Sequence, residues 1–136
     1  MSAGSPFVAA MVQMRTGLLP GPSFEQAAEL IREAALQGAD YVQTPEVSNM
    51  MQLNRAALFE HLADQNDDVS LKSYRDLARE LRIHLHIGSL ALRATPERAV
   101  NRSFLLGPNG DILASYDKIH MFDIDLGNGE SYRESA

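Results

Sequence analysis

The chain has 136 residues, a formal net charge of −6 and no cysteine. Its 45% hydrophobic and 22% charged content matches a soluble globular domain and excludes global disorder. The acidic balance offers no basic stripe for nucleic acid, no apolar run nears the ~20 residues that cross a bilayer, and disulfides, thiolate metal sites and thiol nucleophiles are excluded within these residues. No charged start followed by an apolar stretch marks a signal peptide, so a cytoplasmic location without membrane or nucleic-acid partners is expected. A chain of this size buries roughly two-thirds of its unfolded surface and reads as one domain or part of one.

Phe7 to Met14 is a short apolar run, bounded by a Gly/Pro-rich loop from Thr16 to Pro22, and predicts a buried strand. Ser23 and Gln26 form a capping-box pattern ahead of Phe24, Ala27, Ala28, Ile31, Ala34 and Ala35, whose spacing predicts a helix stopped by Gly38. A brief strand, Asp40 to Gln43, runs into Thr44-Pro45-Glu46. Helices are predicted over Asn54 to Ala63 and Val69 to Leu81, the second with Tyr74, Leu77, Ala78 and Leu81 on one face. Ile83, Leu85 and Ile87 alternate with His84 and His86 as in a strand. Arg98 to Leu106 and Asp111 to Tyr116 flank Gly107-Pro108-Asn109-Gly110, a hairpin turn, and the chain after Lys118 reads as polar loop. This alternation predicts an α/β fold with helices packed on a mixed sheet.

Chemistry is carried by few residues. Glu46 follows a strand directly, where ligands of open α/β sheets gather. Lys118 ends another predicted strand, and Glu130 stands in Gly129-Glu130-Ser131. Taken alone, each fits a solvated surface residue better than a catalytic one. His84 and His86 share a strand face, yet two imidazoles without a third ligand make a weak metal site, and no metal or cofactor is expected. No serine sits in a G-x-S-x-G elbow, and no helix follows the GPNG turn to make it a phosphate loop.

Taken together, the opening strand with Gln13, the Thr44-Pro45-Glu46 strand end and the hairpin leading into Tyr116-Asp117-Lys118-Ile119-His120-Met121-Phe122-Asp123 resemble the carbon–nitrogen hydrolase (nitrilase) superfamily. The tail from Gly129 to Ser135 is similar to the branch holding omega-amidases and deaminated-glutathione amidases. The resemblance covers about the first half of that family's domain. It implies the N-terminal part of an α-β-β-α sandwich and a Glu–Lys–Cys mechanism acting on small amides. Glu46 then matches the general base, Lys118 the lysine and Glu130 a second glutamate; the nucleophilic cysteine belongs to a later strand beyond Ala136. The resemblance further implies a homo-oligomeric parent protein. The competing expectation is a half-domain without turnover that serves as an interaction or oligomerisation module.

Overall fold

A computed structural model describes residue 4, residues 6–127 and residues 129–134. Ser135, which closes the tail motif, and Ala136 lie outside the described residues. Ten elements follow in order: β1 (Ala9–Met11), α1 (Pro20–Leu36), β2 (Tyr41–Gln43), α2 (Arg55–His61), α3 (Val69–Leu81), β3 (His84–Thr95), β4 (Arg98–Leu106), β5 (Ile112–Asp117), β6 (Asp123–Asp125) and β7 (Ser131–Arg133). The first five strands make one sheet in sequence order, with β1, β2 and β3 parallel and β4 and β5 antiparallel. The expected mixed α/β architecture is therefore present.

The core lies between that sheet and the helices α1 and α3. Ala27, Ala28 and Ile31 of α1 and Leu71, Tyr74, Leu77 and Ala78 of α3 pack against Val42, Leu85, Ile87, Leu90, Leu92, Phe104 and Leu106. Tyr74 sets its ring edge-on against Phe24, with centroids 5.0 Å apart. Burying each large side chain of this kind contributes about 1.5–3 kcal/mol. Alternation along the strands leaves the other face of the sheet open, with Met11 and Tyr116 largely exposed.

Three expectations change locally. The first concerns α1, which begins at Pro20 after Leu19 and has no side-chain cap. A proline ring already holds the φ of a first helical turn and has no N–H to satisfy, so the helix starts earlier than the capping-box residues suggest. Ser23 and Gln26 fold the preceding loop back instead: Ser23 Oγ accepts from the Gly17 N–H at 3.0 Å, and Gln26 Oε1 from the Arg15 N–H at 2.7 Å. The second concerns the polar segment after Lys118. It forms the β6–β7 hairpin, paired Asp123 to Arg133 and Ile124 to Tyr132, with an Arg133–Asp125 ion pair at 2.7 Å. The third concerns the strand read as buried over Phe7 to Met14, which is regular only over Ala9–Met11 and is not buried, since Phe7, Val8 and Met11 are exposed.

Candidate active site

Glu46 stands in a tight turn just past β2, and the turn is held from beneath by β3. Between Ile87 and Leu90 the β3–β4 register slips, a bulge that turns Gly88 and Ser89 away from regular pairing. Ser89 takes up the turn with both its ends. Its Oγ accepts from the Val47 N–H at 2.7 Å, and its carbonyl accepts from the Ser48 N–H at 2.8 Å. Asn49 adds a two-way bond to Ala91, donating at 2.9 Å and accepting at 3.0 Å. A buried hydroxyl relay closes the turn: the Gly88 N–H donates to Thr44 Oγ1 at 3.1 Å, Thr44 Oγ1 meets Ser48 Oγ at 2.8 Å, and Ser48 Oγ donates to the Pro45 carbonyl at 2.6 Å. Within this frame Val47 sits at φ 51°, a left-handed conformation that costs a β-branched residue about 1–3 kcal/mol. Such strain persists only where the surroundings over-determine the backbone, as they do beside Glu46.

Lys118 reaches the same place from the end of β5. Its backbone N–H donates to the Asn101 carbonyl at 2.9 Å, which extends the β4–β5 ladder by one bond. Next to it, Arg102 clasps Asp117 with two bonds, at 2.5 and 2.8 Å, and donates to Gln65 at 2.7 Å. This clasp holds the strand end from which the lysine projects. Lys118 Nζ then donates to Glu46 Oε1 at 2.8 Å and to Glu134 Oε2 at 2.9 Å. Asn101 Nδ2 donates to the same Glu46 Oε1, also at 2.8 Å. Glu134 is brought in by the β6–β7 hairpin, and its Oε2 also accepts from the Phe122 N–H at 2.6 Å. Exposure rises outward through the cluster, from 19% for the Glu134 side chain to 29% for Lys118 and 57% for Glu46. Glu46 is thus the carboxylate most open to an incoming molecule.

The charges reinforce one another. Hydrogen bonds to Glu46 and Glu134 raise the Lys118 ammonium above its ordinary value and keep it protonated. For Glu134, partial burial pushes its proton affinity up, but the Phe122 N–H, the Lys118 ammonium and the Asn101 amide outweigh it and leave a lowered value. An ammonium has three N–H donors. Two of those on Lys118 are committed to the flanking carboxylates, which leaves one for a third acceptor.

Of the three residues singled out from sequence, the structure joins Glu46 and Lys118 directly. The second carboxylate on the lysine is Glu134. Glu130, named for that place from sequence, stands exposed at the β6–β7 turn, where its carbonyl accepts from the Leu126 N–H at 2.9 Å. Asn101 and Glu134 escape sequence reasoning because each is identified only by a strand pairing. His84 and His86 lie on β3 away from this cluster, and His86 Nδ1 meets the Tyr41 hydroxyl at 2.6 Å. Among the described residues no three His, Asp or Glu side chains gather as a metal site, and no helix is long and apolar enough to cross a membrane.

The chain is 33% identical over 129 residues to the human omega-amidase NIT2, covering 95% of this chain and 46% of that protein. It is 32% identical over 130 residues to the deaminated glutathione amidase of Yersinia enterocolitica, covering 93% and 44%. It thus spans a little under half the length of these relatives. Among solved structures it resembles the C. elegans NitFhit protein (TM-score 0.79, 24% identity, 93% of this chain and 31% of that one). It also resembles an amidase from Nesterenkonia sp. (TM-score 0.76, 25% identity, 88% and 45%). The family description "Carbon-nitrogen hydrolase" matches residues 8–136, and the chain belongs to that family.

Proposed function

We propose that this chain carries the acid–base and charge-stabilising half of an amidase site, with the nucleophilic cysteine supplied by sequence outside these 136 residues. The observation that carries the reading is the convergence of Glu46, Lys118 and Glu134 through one ammonium. Family membership and the activities of the amidase relatives support it, as does the absence of any cysteine in a chain about half their length.

In this mechanism Glu46 takes the proton of a thiol as its sulfur attacks the carbonyl carbon of a small amide. The carbonyl oxygen becomes an oxyanion, and the free N–H of Lys118 is placed to donate to it. Glu46 then returns the proton to the departing nitrogen, ammonia leaves, and a thioester remains. Water, activated by the same carboxylate, hydrolyses the thioester to a carboxylic acid and restores the thiol. Glu134 keeps Lys118 charged and oriented while Glu46 changes protonation. A fixed ammonium of this kind contributes roughly 3 kcal/mol or more to the transition state.

The test is to express the longer reading frame and assay ammonia release from small ω-amides. Activity that falls at least ~100-fold in Glu46→Gln and in Lys118→Met is expected. A frame that ends without a cysteine, or turnover unaffected by both substitutions, would refute the amidase reading and leave the non-catalytic interaction module.

A further inference from the structure

We propose that Asn101 is a positioning residue that fixes which oxygen of Glu46 acts as the base. The inference rests on the proposed function of Glu46 and adds to it a residue that the triad does not contain.

Both donors to the Glu46 carboxylate converge on one oxygen. Asn101 Nδ2 and Lys118 Nζ each lie 2.8 Å from Oε1, and among the described residues no donor reaches Oε2. A carboxylate rotating about its last torsion exchanges two chemically identical oxygens, and a single ammonium, itself a compact charge on a flexible stem, holds that rotation weakly. A planar amide anchored on a strand is stiffer. Asn101 lies on β4, and its own carbonyl receives the Lys118 N–H at 2.9 Å, so the residue is clamped to both partners of the ion pair. Its orientation is also set, because only the NH2 end of the amide can face a carboxylate without oxygen–oxygen repulsion.

The consequence is a division of labour within one carboxylate. Oε1 is saturated by two donors and held in place. Oε2 keeps its lone pairs for the proton of the nucleophile and, later, of water. Without Asn101 the two oxygens exchange, and the ammonium bond and the proton-accepting position compete for the same atoms. Orientation within a few tenths of an ångström is worth a large share of a rate, so a group that removes this rotation matters without touching substrate.

The test reads the Asn101 side-chain amide by NMR in the 15N-labelled 136-residue chain, alongside Glu46→Ala, Glu46→Asp and Lys118→Met. The β4–β5 backbone signals serve as the check on fold. The inference expects one Asn101 Nδ2 proton to be shifted downfield and protected from solvent exchange by about tenfold or more, as a hydrogen bond to a charged group requires. Because the Asn101 amide also faces Glu134, Glu134→Gln is included: the signature should vanish in Glu46→Ala and in the shortened Glu46→Asp, and survive in Glu134→Gln and in Lys118→Met. An Asn101 amide indifferent to Glu46, or one that loses protection with Lys118→Met, would overturn the assignment. The amide readouts need no turnover; in the longer reading frame Asn101→Ala should in addition lower kcat about tenfold with KM little changed, and a protected Asn101 amide whose removal leaves kcat unchanged would overturn the positioning role while the amidase reading stands.

Discussion

Gly88 on β3 lies so close under the Glu46 turn that a Cβ built on it would stand 2.5 Å from both the carbonyl carbon and the carbonyl oxygen of Pro45. That contact is backbone on backbone, and neither side can yield as a flexible side-chain tip would. The same glycine donates its N–H to Thr44 and receives Ser103 Oγ on its carbonyl at 2.6 Å, so it is tied on two sides as well. The turn and the bulge fit together only because this position has no side chain.

Gly88→Ala should therefore destabilise the chain by about 1–3 kcal/mol, the range for overpacking a well-packed site. It should also push the Pro45–Glu46 segment outward, so that Lys118 titrates closer to its ordinary 10.5. Gly21→Ala is the control. A Cβ there meets nothing within 4 Å outside its chain neighbours, and in the first turn of α1, directly before Pro22, the expected change is small, within about 0.5 kcal/mol. Urea melts of both variants, with an NMR titration of Lys118, check the pair. Equal stability changes would mean that the close approach does not constrain the turn.

Val47 gives a second handle on the same turn. Its φ of 51° is unfavourable for a β-branched residue, while its side chain packs beside Met50, Leu62 and Ala91. Val47→Gly relieves the backbone but removes the packing and adds freedom to the unfolded chain, and these effects oppose each other. The expected net change in stability is small, about 1 kcal/mol or less. The expected change in order at Glu46 is not small: backbone relaxation at residues 46–48 should show new motion. A rigid turn in Val47→Gly would show that the hydrogen bonds from Ser89 suffice without the strained residue.

These relationships also mark where the amino-acid sequence was readable. Helix α3 appears with the predicted bounds because Leu71, Tyr74, Leu77 and Ala78 repeat at helical spacing and Asp68 caps the start, accepting from the Leu71 N–H at 2.7 Å. The β4–β5 hairpin was legible from its GPNG turn, where Gly110 adopts φ 78°. Glu46 and Lys118 were legible through the motifs that hold them, Thr44-Pro45-Glu46 and Tyr116-Asp117-Lys118-Ile119-His120, because position near a strand end alone fits a surface residue. The β6–β7 hairpin was not legible, since three-residue strands such as Asp123–Asp125 carry too few apolar positions to show a period. Without that hairpin nothing distinguishes Glu134 from Glu130, and the choice between them is made by the fold-back that brings Glu134 to Phe122. Asn101 is hidden for a related reason: one half-buried strand amide looks like any other until its partner strand is known.

The Lys118–Glu134 tie predicts a pH dependence with two limbs. Lys118 is raised in the folded chain, so its contribution to stability is whole below its ordinary 10.5 and is lost as pH climbs through the higher folded value. Glu134 is lowered, so its contribution is whole above its ordinary 4.5 and is lost as pH falls through the lower folded value. Between these limits the pair should be indifferent to pH. Glu134→Gln should cost about 1 kcal/mol at neutral pH and flatten the acid limb, as judged from urea midpoints at several pH values. An acid limb unchanged by Glu134→Gln would assign it to other carboxylates, and the tie would then be too weak to orient the lysine.

The 136-residue chain by itself should release no ammonia from acetamide, propionamide or an ω-amide of a dicarboxylic acid. Amide hydrolysis through a thioester needs a thiolate, and this sequence holds no cysteine. Glu46 could direct water at the carbonyl, but that route forgoes the covalent step, and a water molecule is a weaker nucleophile than a thiolate held in place. Lys118 is also less available than in a closed site, since the Glu46 side chain stands 57% exposed and solvent weakens every charge interaction around it. Alongside the assay, size-exclusion chromatography should show self-association, because Met11, Ile119, Phe122, Leu126 and Tyr132 present large apolar surfaces to water. A well-behaved monomer would show that this surface is tolerated in solution and would favour the interaction-module reading. Ammonia release that disappears in Glu46→Gln would show that the carboxylate and the ammonium suffice without a thiol, and the need for a nucleophile from outside these residues would fall.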